Sequence, residues 1–312
     1  MEVRNLVQSG LRVSTIGLGC NNFGGRIDDA AAKAVIHKAL DLGITLFDTA
    51  DTYGERGGSE TVMGRILGQE RKRIVLATKF GMPMDDSGEK QGGSRRYIMQ
   101  AVEDSLRRLN TDWIDLYQMH QTDPRTPVEE TLRALDDLIR QGKVRYIGCS
   151  NFPAWQVTEA AWTARTAGLN GFVSCQDEYS LIHRGPEAEL LPAARKLGLG
   201  VLPYFPLASG LLTGKYRRNI PLPDGTRLAR VQRLADRYLT DRNWEMAERL
   251  GDFVESRGRT MLQLAFSWLL AQSPVASVIA GATRPEQLEQ NVQAGEWVLT
   301  QDELTEINRI TA

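Results

Sequence analysis

Cysteine and histidine are both scarce in this sequence, which has 3 of each in 312 residues. Cys20, Cys149 and Cys175 lie far apart, are odd in number and include no Cys-x-x-Cys pair. This pattern argues against a disulfide framework and indicates reduced, buried thiols, as expected of a cytoplasmic protein. No histidines, cysteines and acidic residues are grouped at the spacing of metal ligands, so we expect no protein-bound metal.

A charge of one sign and long apolar runs are also absent. With 38 basic and 39 acidic side chains, the net charge of -1 gives no overall field that would attract nucleic acid or an anionic membrane surface. No apolar stretch approaches the length that spans a bilayer, and residues 1–5 lack the features of a secretion signal. We therefore expect small-molecule or protein partners, and the oligomeric state stays open.

What the chain does contain, after residue 14, is an alternation of short apolar runs and amphipathic helical segments that recurs about eight times. This pattern indicates a parallel sheet with crossover helices. We predict an α/β fold: a single (β/α)8 TIM barrel domain over residues 1–312, with an N-terminal β-hairpin turning at Ser9-Gly10 and an extra C-terminal helix. After the first strand, the predicted strands are 44–47, 74–78, 114–119, 144–148, 172–175, 200–204 and 277–280.

Local signals define several helix ends. Asp28 is a good N-cap for the first helix, which is predicted to end at Gly43. The segment from Thr126 to Glu129 combines a capping box with proline at the first helical position. A helix is also predicted over 186–197, before Gly198.

The longest stretch without a regular pattern is 206–238, which is rich in arginine, proline and glycine. Structureless loops of this length in compact domains are usually functional or disordered. Because barrel phosphate sites favour the loops after strands seven and eight, an anion clamp is one interpretation of this stretch. A solvated basic loop is an equally good one.

Four polar residues follow three consecutive predicted strands. Asp48 and Tyr53 follow the second strand, Lys79 follows the third and His120 the fourth. Since ligands bind at the carboxyl ends of parallel strands in such folds, we expect these side chains to converge. Each residue alone has an ordinary explanation as a rim, turn or loop residue, but four at successive strand ends favour a shared site.

These residue types indicate proton transfer. A tyrosine hydroxyl has an ordinary pKa of about 10, and a nearby ammonium such as that of Lys79 is expected to lower it. Asp48 can pair with Lys79, and His120 can hydrogen-bond a substrate oxygen near Tyr53. The set describes a general acid for a carbonyl oxygen that becomes an alcohol. It includes no electron source, so a hydride must come from a bound cofactor.

The residues resemble the aldo-keto reductase family across essentially the whole chain. The segment from Asp48 to Gly54 is similar to the tyrosine-bearing motif of the family, with Lys79 and His120 as its strand-three lysine and strand-four histidine. Further matches lie at 148–152, 176–179, 206–216 and 281–291. The likeness is greatest to bacterial branches close to the potassium channel beta subunits.

This resemblance implies that NADPH or NADP+ lies across the barrel mouth. The carboxamide would be held by Ser150, Asn151 and Gln176, and Tyr204 would stack on the nicotinamide. The implied cofactor-binding residues are Gly19, Cys20, Asp48, Ser150, Asn151, Gln176, Tyr204, Phe205, Pro206, Leu207, Ser209, Gly210, Lys215, Arg227, Gly281, Thr283, Arg284, Gln287, Gln290 and Asn291.

Two of those positions depart from the family pattern. Phe205 stands where the family often has serine, and Gln290 where it often has a glutamate that contacts adenine. Cofactor affinity or the preference for NADPH could therefore be altered. Gly17 and Gly19 also suggest a Rossmann loop, but Asn22 occupies the third glycine position and the fingerprint fails.

The expected function is reduction of aldehyde or ketone carbonyls to alcohols by reversible hydride transfer from NADPH, with Tyr53 as general acid. Asn21, Tyr53 and His120 are the expected substrate contacts. One alternative is a cofactor-sensing regulatory subunit, although the resembling channel subunits carry asparagine in place of His120. Another is a lyase or isomerase whose basic loop binds a substrate phosphate. The sequence identifies neither the physiological substrate nor the preferred direction.

Overall fold

A computed structural model describes residues 1–312. The chain begins with a short antiparallel hairpin. Its strands are β1 (Val3–Asn5) and β2 (Arg12–Ser14). Leu6, Leu11 and Val13 of this hairpin are buried with apolar residues from the interior of the main sheet. The N–H of Gln8 donates to the Gly198 carbonyl, two residues before the strand that begins at Gly200. The hairpin therefore covers the amino-terminal end of the sheet.

Eight parallel strands form the main sheet: β3 (Ile16–Gly19), β4 (Leu46–Asp48), β5 (Val75–Phe80), β6 (Ile114–Met119), β7 (Val144–Ser150), β8 (Ser174–Gln176), β9 (Gly200–Val201) and β10 (Val278–Gly281). Their spatial order is β10-β3-β4-β5-β6-β7-β8-β9. The two outer strands meet as well, because Val201 bridges Val275 and the N–H of Ile279 donates to the Pro203 carbonyl at 3.1 Å. This confirms the predicted (β/α)8 barrel.

The helices surround the sheet, and a continuous apolar core lies between them and the strands. They are α1 (Asp29–Asp41), α2 (Tyr53–Leu67), α3 (Arg95–Leu109), α4 (Val128–Arg140), α5 (Ala154–Ala167), α6 (Leu190–Leu197), α7 (Arg227–Arg230), α8 (Gln232–Tyr238), α9 (Asp241–Glu255), α10 (Met261–Leu270), α11 (Pro285–Ala294) and α12 (Gln301–Thr311). Asp28 caps α1 as predicted, accepting from the N–H of Ala31. No helix is both long and apolar enough to traverse a lipid bilayer.

The predicted capping box at the start of α4 is wrong. Pro127 is the N-cap residue, and the Thr126 hydroxyl donates to Asp123 at 2.9 Å instead of capping the helix. Glu129 pairs with Arg133, one turn further along the helix. Asp123 also accepts from the N–H of Gly93, so a contact between loops competes with the local cap for the threonine hydroxyl.

The stretch 206–238 is less irregular than predicted. It contains a 3-10 turn, Ala208–Thr213, and the short helices α7 and α8. Leu228, Leu234 and Tyr238 are buried, so these helices are stabilised by packing on the barrel. Segments of four and seven residues are too short to display a helical period in the sequence.

Two predicted elements are shorter in the structure by three residues or more. Regular pairing of the strand predicted at 200–204 ends at Val201, and Tyr204 makes only an isolated bridge with Glu178. The helix predicted over 186–197 divides into a 3-10 turn, Gly185–Glu187, and α6. Both changes occur in the segments that follow β8 and β9, which form loops at the open end of the barrel.

Candidate active site

The structure brings Asp48, Tyr53, Lys79 and His120 together at the carboxyl edge of the sheet. The Lys79 ammonium is fully buried and donates to Asp48 Oδ2 at 2.7 Å and to the Thr49 carbonyl at 2.8 Å. Lys79 Nζ lies 5.0 Å from the centre of the Tyr53 ring. The His120 ring meets the Tyr53 ring edge-on, with centroids 5.7 Å apart. The tyrosine hydroxyl therefore has a fixed cation on one side and an imidazole on another.

Burial and charge have opposite effects on the Tyr53 hydroxyl. Burial raises its pKa, and the positive charge of Lys79 lowers it by less, so the net direction is upward. The expectation that Lys79 brings this pKa below its ordinary value is wrong for the protein alone, because the cavity floor removes the phenolate from water. Tyr53 is therefore a neutral hydroxyl, and so a proton donor, at neutral pH.

Lys79 and His120 carry opposite protonation states. Burial lowers the pKa of Lys79, but the charges of Asp48 and Tyr53 more than compensate and the net shift is upward. Burial, followed by the positive charge of Lys79, lowers the pKa of His120 to about 3. Lys79 is thus an ammonium, whereas His120 is a neutral imidazole that can donate one hydrogen bond.

A left-handed turn fixes the direction in which Tyr53 points. Residues 54–57 all have positive φ, and this group includes the non-glycine residues Glu55 and Arg56 at 62° and 65°. A Cβ on Gly54 would lie 2.5 Å from the Phe23 carbonyl oxygen, so only glycine fits there. The regular part of α2 follows this turn.

Asp48, Tyr53, Lys79 and His120 are called the tetrad below. Two buried side-chain amides pack against its aspartate. Gln176 donates to Asp48 Oδ1 at 2.9 Å, and Gln118 approaches the same oxygen at 3.4 Å. No motif in the sequence indicates a role for Gln118. Its only sequence signal is a polar residue inside the apolar run of β6. These contacts hold the carboxylate in place beside Lys79 by satisfying its second oxygen.

A cavity of about 1070 Å³ opens directly above the tetrad. Sites for a single small ligand usually measure about 300–1,000 Å³, so this one has room for an extended molecule together with a substrate. It is lined by Asn21, Tyr53 and His120 and by most of the expected cofactor residues: Gly19, Asp48, Ser150, Asn151, Gln176, Tyr204, Phe205, Pro206, Leu207, Ser209, Gly210, Lys215, Arg227, Gly281, Thr283, Arg284 and Gln287.

Three of the expected cofactor residues do not line the cavity. Cys20 is fully buried behind it, and its thiol faces the Leu18 carbonyl at 3.6 Å. Gln290 and Asn291 lie on α11, the first exposed and the second buried within the helix packing. Lys79 also lies behind the wall, where it contacts Asp48 and the Tyr53 ring.

The hydrogen bonds of Asn151 join the loops around the tetrad. Its side-chain amide donates to the His120 carbonyl at 2.9 Å and to Ser150 Oγ at 3.0 Å, while its oxygen accepts from the Tyr204 hydroxyl at 2.8 Å. Asn151 has a φ of 59°, in the left-handed region that asparagine tolerates better than most residues. The ends of β6 and β7 and the chain after β9 are thus held in one arrangement.

The cavity carries an excess of positive charge. Six basic residues line it, namely Arg26, Lys215, Arg227, Arg233, Arg237 and Arg284, against three acidic ones, Asp48, Glu178 and Asp224. Asp48 is paired with Lys79 and Glu178 with Arg237, which leaves five basic groups and one acid without a salt bridge. Ser209 Oγ is buried without a hydrogen-bond partner. Unpaired cations and a free hydroxyl fit the phosphates of a dinucleotide.

The sequence profile described as "Aldo/keto reductase family" matches residues 15–312. The chain belongs to the aldo/keto reductase family. It is therefore an oxidoreductase, in a family that reduces carbonyl groups and generally uses NADH or NADPH. This membership agrees with the barrel, the residues at its strand ends and the positively charged cavity.

Relatives that carry different names match this aldo/keto reductase over most of its length. It is 39% identical to "Uncharacterized oxidoreductase YrpG" of Bacillus subtilis (strain 168), over 99% of this chain and 96% of that protein. It is 36% identical to "L-glyceraldehyde 3-phosphate reductase" of Escherichia coli (strain K12), over 94% and 87%. It is 38% identical to "Probable voltage-gated potassium channel subunit beta" of Oryza sativa subsp. japonica, over 94% and 91%.

Several cavity residues of this aldo/keto reductase received no role from the sequence. Arg26, Met82 and Gln121 line the cavity from the loops after β3, β5 and β6. The sequence offered no signal for them beyond their places in loops that follow strands. Arg237, one of the arginines in 206–238, also lines the cavity and pairs with Glu178 at 2.5 Å.

Proposed function

We propose that this protein reduces the carbonyl group of a small molecule to an alcohol with NADPH, and that Tyr53 is the general acid. The observation that carries the proposal is the buried ion pair of Lys79 with Asp48, 2.7 Å long, beside a neutral tyrosine at the floor of a positively charged cavity. A fixed ammonium beside a neutral hydroxyl supports proton donation, since it stabilises the phenolate that remains after transfer.

The chain's own residues would act on the carbonyl oxygen. When bound, the nicotinamide cofactor supplies the hydride that the carbonyl carbon receives. The Tyr53 hydroxyl delivers a proton to the carbonyl oxygen, so hydride and proton together give the alcohol. The neutral His120 imidazole donates a hydrogen bond to that oxygen and orients it. In the reverse direction the Tyr53 phenolate accepts the proton.

The residues around the cavity fit NADPH in type and position. Ser150, Asn151 and Gln176 would hold the carboxamide, and Tyr204, anchored through its hydroxyl to Asn151, would cover the nicotinamide ring. Ser209 and Gly210 lie with Lys215 on the loop after β9, where the pyrophosphate would bind. Arg227 and Arg284, with Thr283 and Gln287, are the donors that we assign to the 2′-phosphate.

Purified protein should consume NADPH when mixed with members of a panel of aldehydes, ketones, sugars and dicarbonyls. Loss of absorbance from the reduced nicotinamide, with the alcohol identified by mass spectrometry, measures the reaction. NADPH binding without turnover of any carbonyl would contradict the proposal. That result would favour the regulatory alternative, which is worth testing because one relative is named as a probable potassium channel subunit beta.

Cofactor preference gives a separate prediction. The protein should bind NADPH more tightly than NADH, because guanidinium groups form charge-assisted hydrogen bonds with a 2′-phosphate. Arg227→Ala should narrow the gap between the two dissociation constants by about tenfold, since a hydrogen bond to a charged group is worth roughly 1.5–3 kcal/mol and Arg284 remains. Titration of cofactor fluorescence measures both constants, and Arg12→Ala at the opposite end of the barrel is the control. Equal affinities in the unmutated protein would rule out the assigned 2′-phosphate site.

A further inference from the structure

The outer face of α5 carries two exposed tryptophans. Trp155 and Trp162 are about two helical turns apart, so they lie on the same face of the helix. Their exposed fractions are 62% and 58%, whereas Val157, Ala160 and Ala164 on the opposite face are buried in the core. Tryptophan is enriched at protein interfaces, where its large ring removes much apolar area from water. This face therefore indicates a contact with another macromolecule.

Two unpaired charges accompany the tryptophans. Glu159 and Arg165 are exposed, and neither makes a salt bridge within the chain. They flank Trp162 on either side along the helix, and the Arg165 guanidinium carbon lies 5.3 Å from the centre of its ring. One acid and one base give no excess of positive charge, so the face is not suited to an anionic membrane. A complementary partner needs the same two charges in the reverse order, and a second copy of α5 turned end to end presents them in that order.

An antiparallel second copy also accommodates the tryptophans. With a two-fold axis at Trp162, Glu159 of each copy faces Arg165 of the other, and the two central rings meet at the axis. The same register places Trp155 opposite Leu169 of the second copy. Leu169 borders a mostly apolar cavity of about 180 Å³ between α5 and α6. An apolar cavity of about 150 Å³ is large enough for benzene, so this one can receive an indole ring.

We propose that this protein forms a symmetric dimer through α5, with Trp162 at its centre. The inference concerns assembly and is independent of the proposed reaction. Because each indole is already partly buried, the four tryptophans of a dimer would remove about 360–600 Å² from water. A standard interface buries about 1,200–2,000 Å² in total, so the tryptophans supply at most about half of one. Association should therefore be weak, with a dissociation constant on the order of micromolar.

Sedimentation velocity over a range of protein concentrations tests the dimer. Wild-type protein should be monomeric at about 0.1 µM and largely dimeric at about 100 µM. Trp162→Lys places two ammonium groups at the axis and should raise the dissociation constant by at least about tenfold. Val298→Lys is the control, because Val298 is 89% exposed and lies outside α5. A wild-type protein that is monomeric at every concentration, or a dimer that Trp162→Lys leaves intact, would overturn the inference. Binding to phosphatidylserine vesicles without self-association would assign the face to a membrane instead.

Charge reversal tests the antiparallel register. Glu159→Arg and Arg165→Glu, each made alone, bring like charges together across the axis and should weaken association by about tenfold. The double variant restores both pairs in reverse and should recover the wild-type dissociation constant. Thermal unfolding of dilute protein should be the same for all three variants and wild type, because both positions are exposed. Single variants that associate as well as wild type, or a double variant that does not recover, would rule out this arrangement of the two copies.

Discussion

At the level of single residues, the protonation state of Tyr53 decides what the site can do. Burial raises its pKa above the ordinary value of about 10 even though the Lys79 ammonium opposes that shift. The hydroxyl therefore stays protonated through the physiological range. Because the lysine is itself held as a cation by Asp48, the pair supplies a permanent positive charge beside the hydroxyl rather than a second titrating group.

This arrangement predicts opposed pH profiles for the two directions. Reduction needs the neutral hydroxyl and should fall as pH rises through the raised pKa of Tyr53, whereas alcohol oxidation needs the phenolate and should increase. Lys79→Met removes the charge that favours phenolate, so the remaining reduction should be slower and should persist to higher pH. Rates measured at saturating cofactor would show this, with exposed Lys72→Met as control. Loss of reduction by Lys79→Met at the same or lower pH than wild type would show that Lys79 does not set the acidity of Tyr53.

Among the elements, the contact between α2 and α3 supports the turn that carries Tyr53. Buried Glu60 on α2 accepts from Arg108 on α3 at 2.7 Å and from Thr78 of β5 at 2.5 Å. Gly64 allows the two helices to approach, because a Cβ there would lie 2.2 Å from the Arg108 carbonyl oxygen. The left-handed turn at 54–57 is thus supported by a packed helix pair.

Gly64→Ala should destabilise the protein by about 1–3 kcal/mol, since the added methyl group overlaps backbone atoms that cannot easily move. Gly251→Ala on α9 is the matched control, because a Cβ there meets nothing within 4 Å. That control should stabilise the protein by up to about 1 kcal/mol through helix propensity. Urea denaturation measures both changes. Equal effects of the two substitutions would show that the α2–α3 contact does not depend on glycine.

The sequence predicted elements with long periodic patterns better than contacts between distant loops. The barrel order and the convergence of Asp48, Lys79 and His120 followed from strand ends, because parallel strands in a barrel bring those ends together. The helices within 206–238 were missed because each has only one or two turns. Arg26 was missed because the supports of its loop, such as the contact of Asn22 with Ala282, join residues 260 positions apart.

Across the whole molecule, stability should depend on the protonation of Asp177, which follows β8. Burial, followed by the negative charge of Glu178, raises the pKa of Asp177 to about 7, and one carboxylate oxygen is buried without a partner. The unfolded chain has an aspartate pKa of about 3.9. Between these values the folded state binds more protons than the unfolded state, so this residue makes stability fall as pH rises.

Asp177→Asn should therefore stabilise the protein more at pH 8 than at pH 5, by roughly 2–3 kcal/mol in the difference. Any cost of burying the amide is present at both pH values and cancels. Urea denaturation of wild type and variant at each pH gives the comparison, and Asp112→Asn, at an exposed loop position, is the control. A stabilisation that is the same at pH 5 and pH 8 would contradict the raised pKa.

The central claim is that the Tyr53 hydroxyl is the proton donor, and Tyr53→Phe removes that hydroxyl while keeping the ring. Turnover of a carbonyl substrate should be measured beside NADPH affinity by cofactor fluorescence on the same preparation. We expect NADPH affinity close to that of wild type and a turnover lower by about a hundredfold to ten-thousandfold, the usual contribution of general acid catalysis. Near-wild-type turnover in this variant would contradict the account.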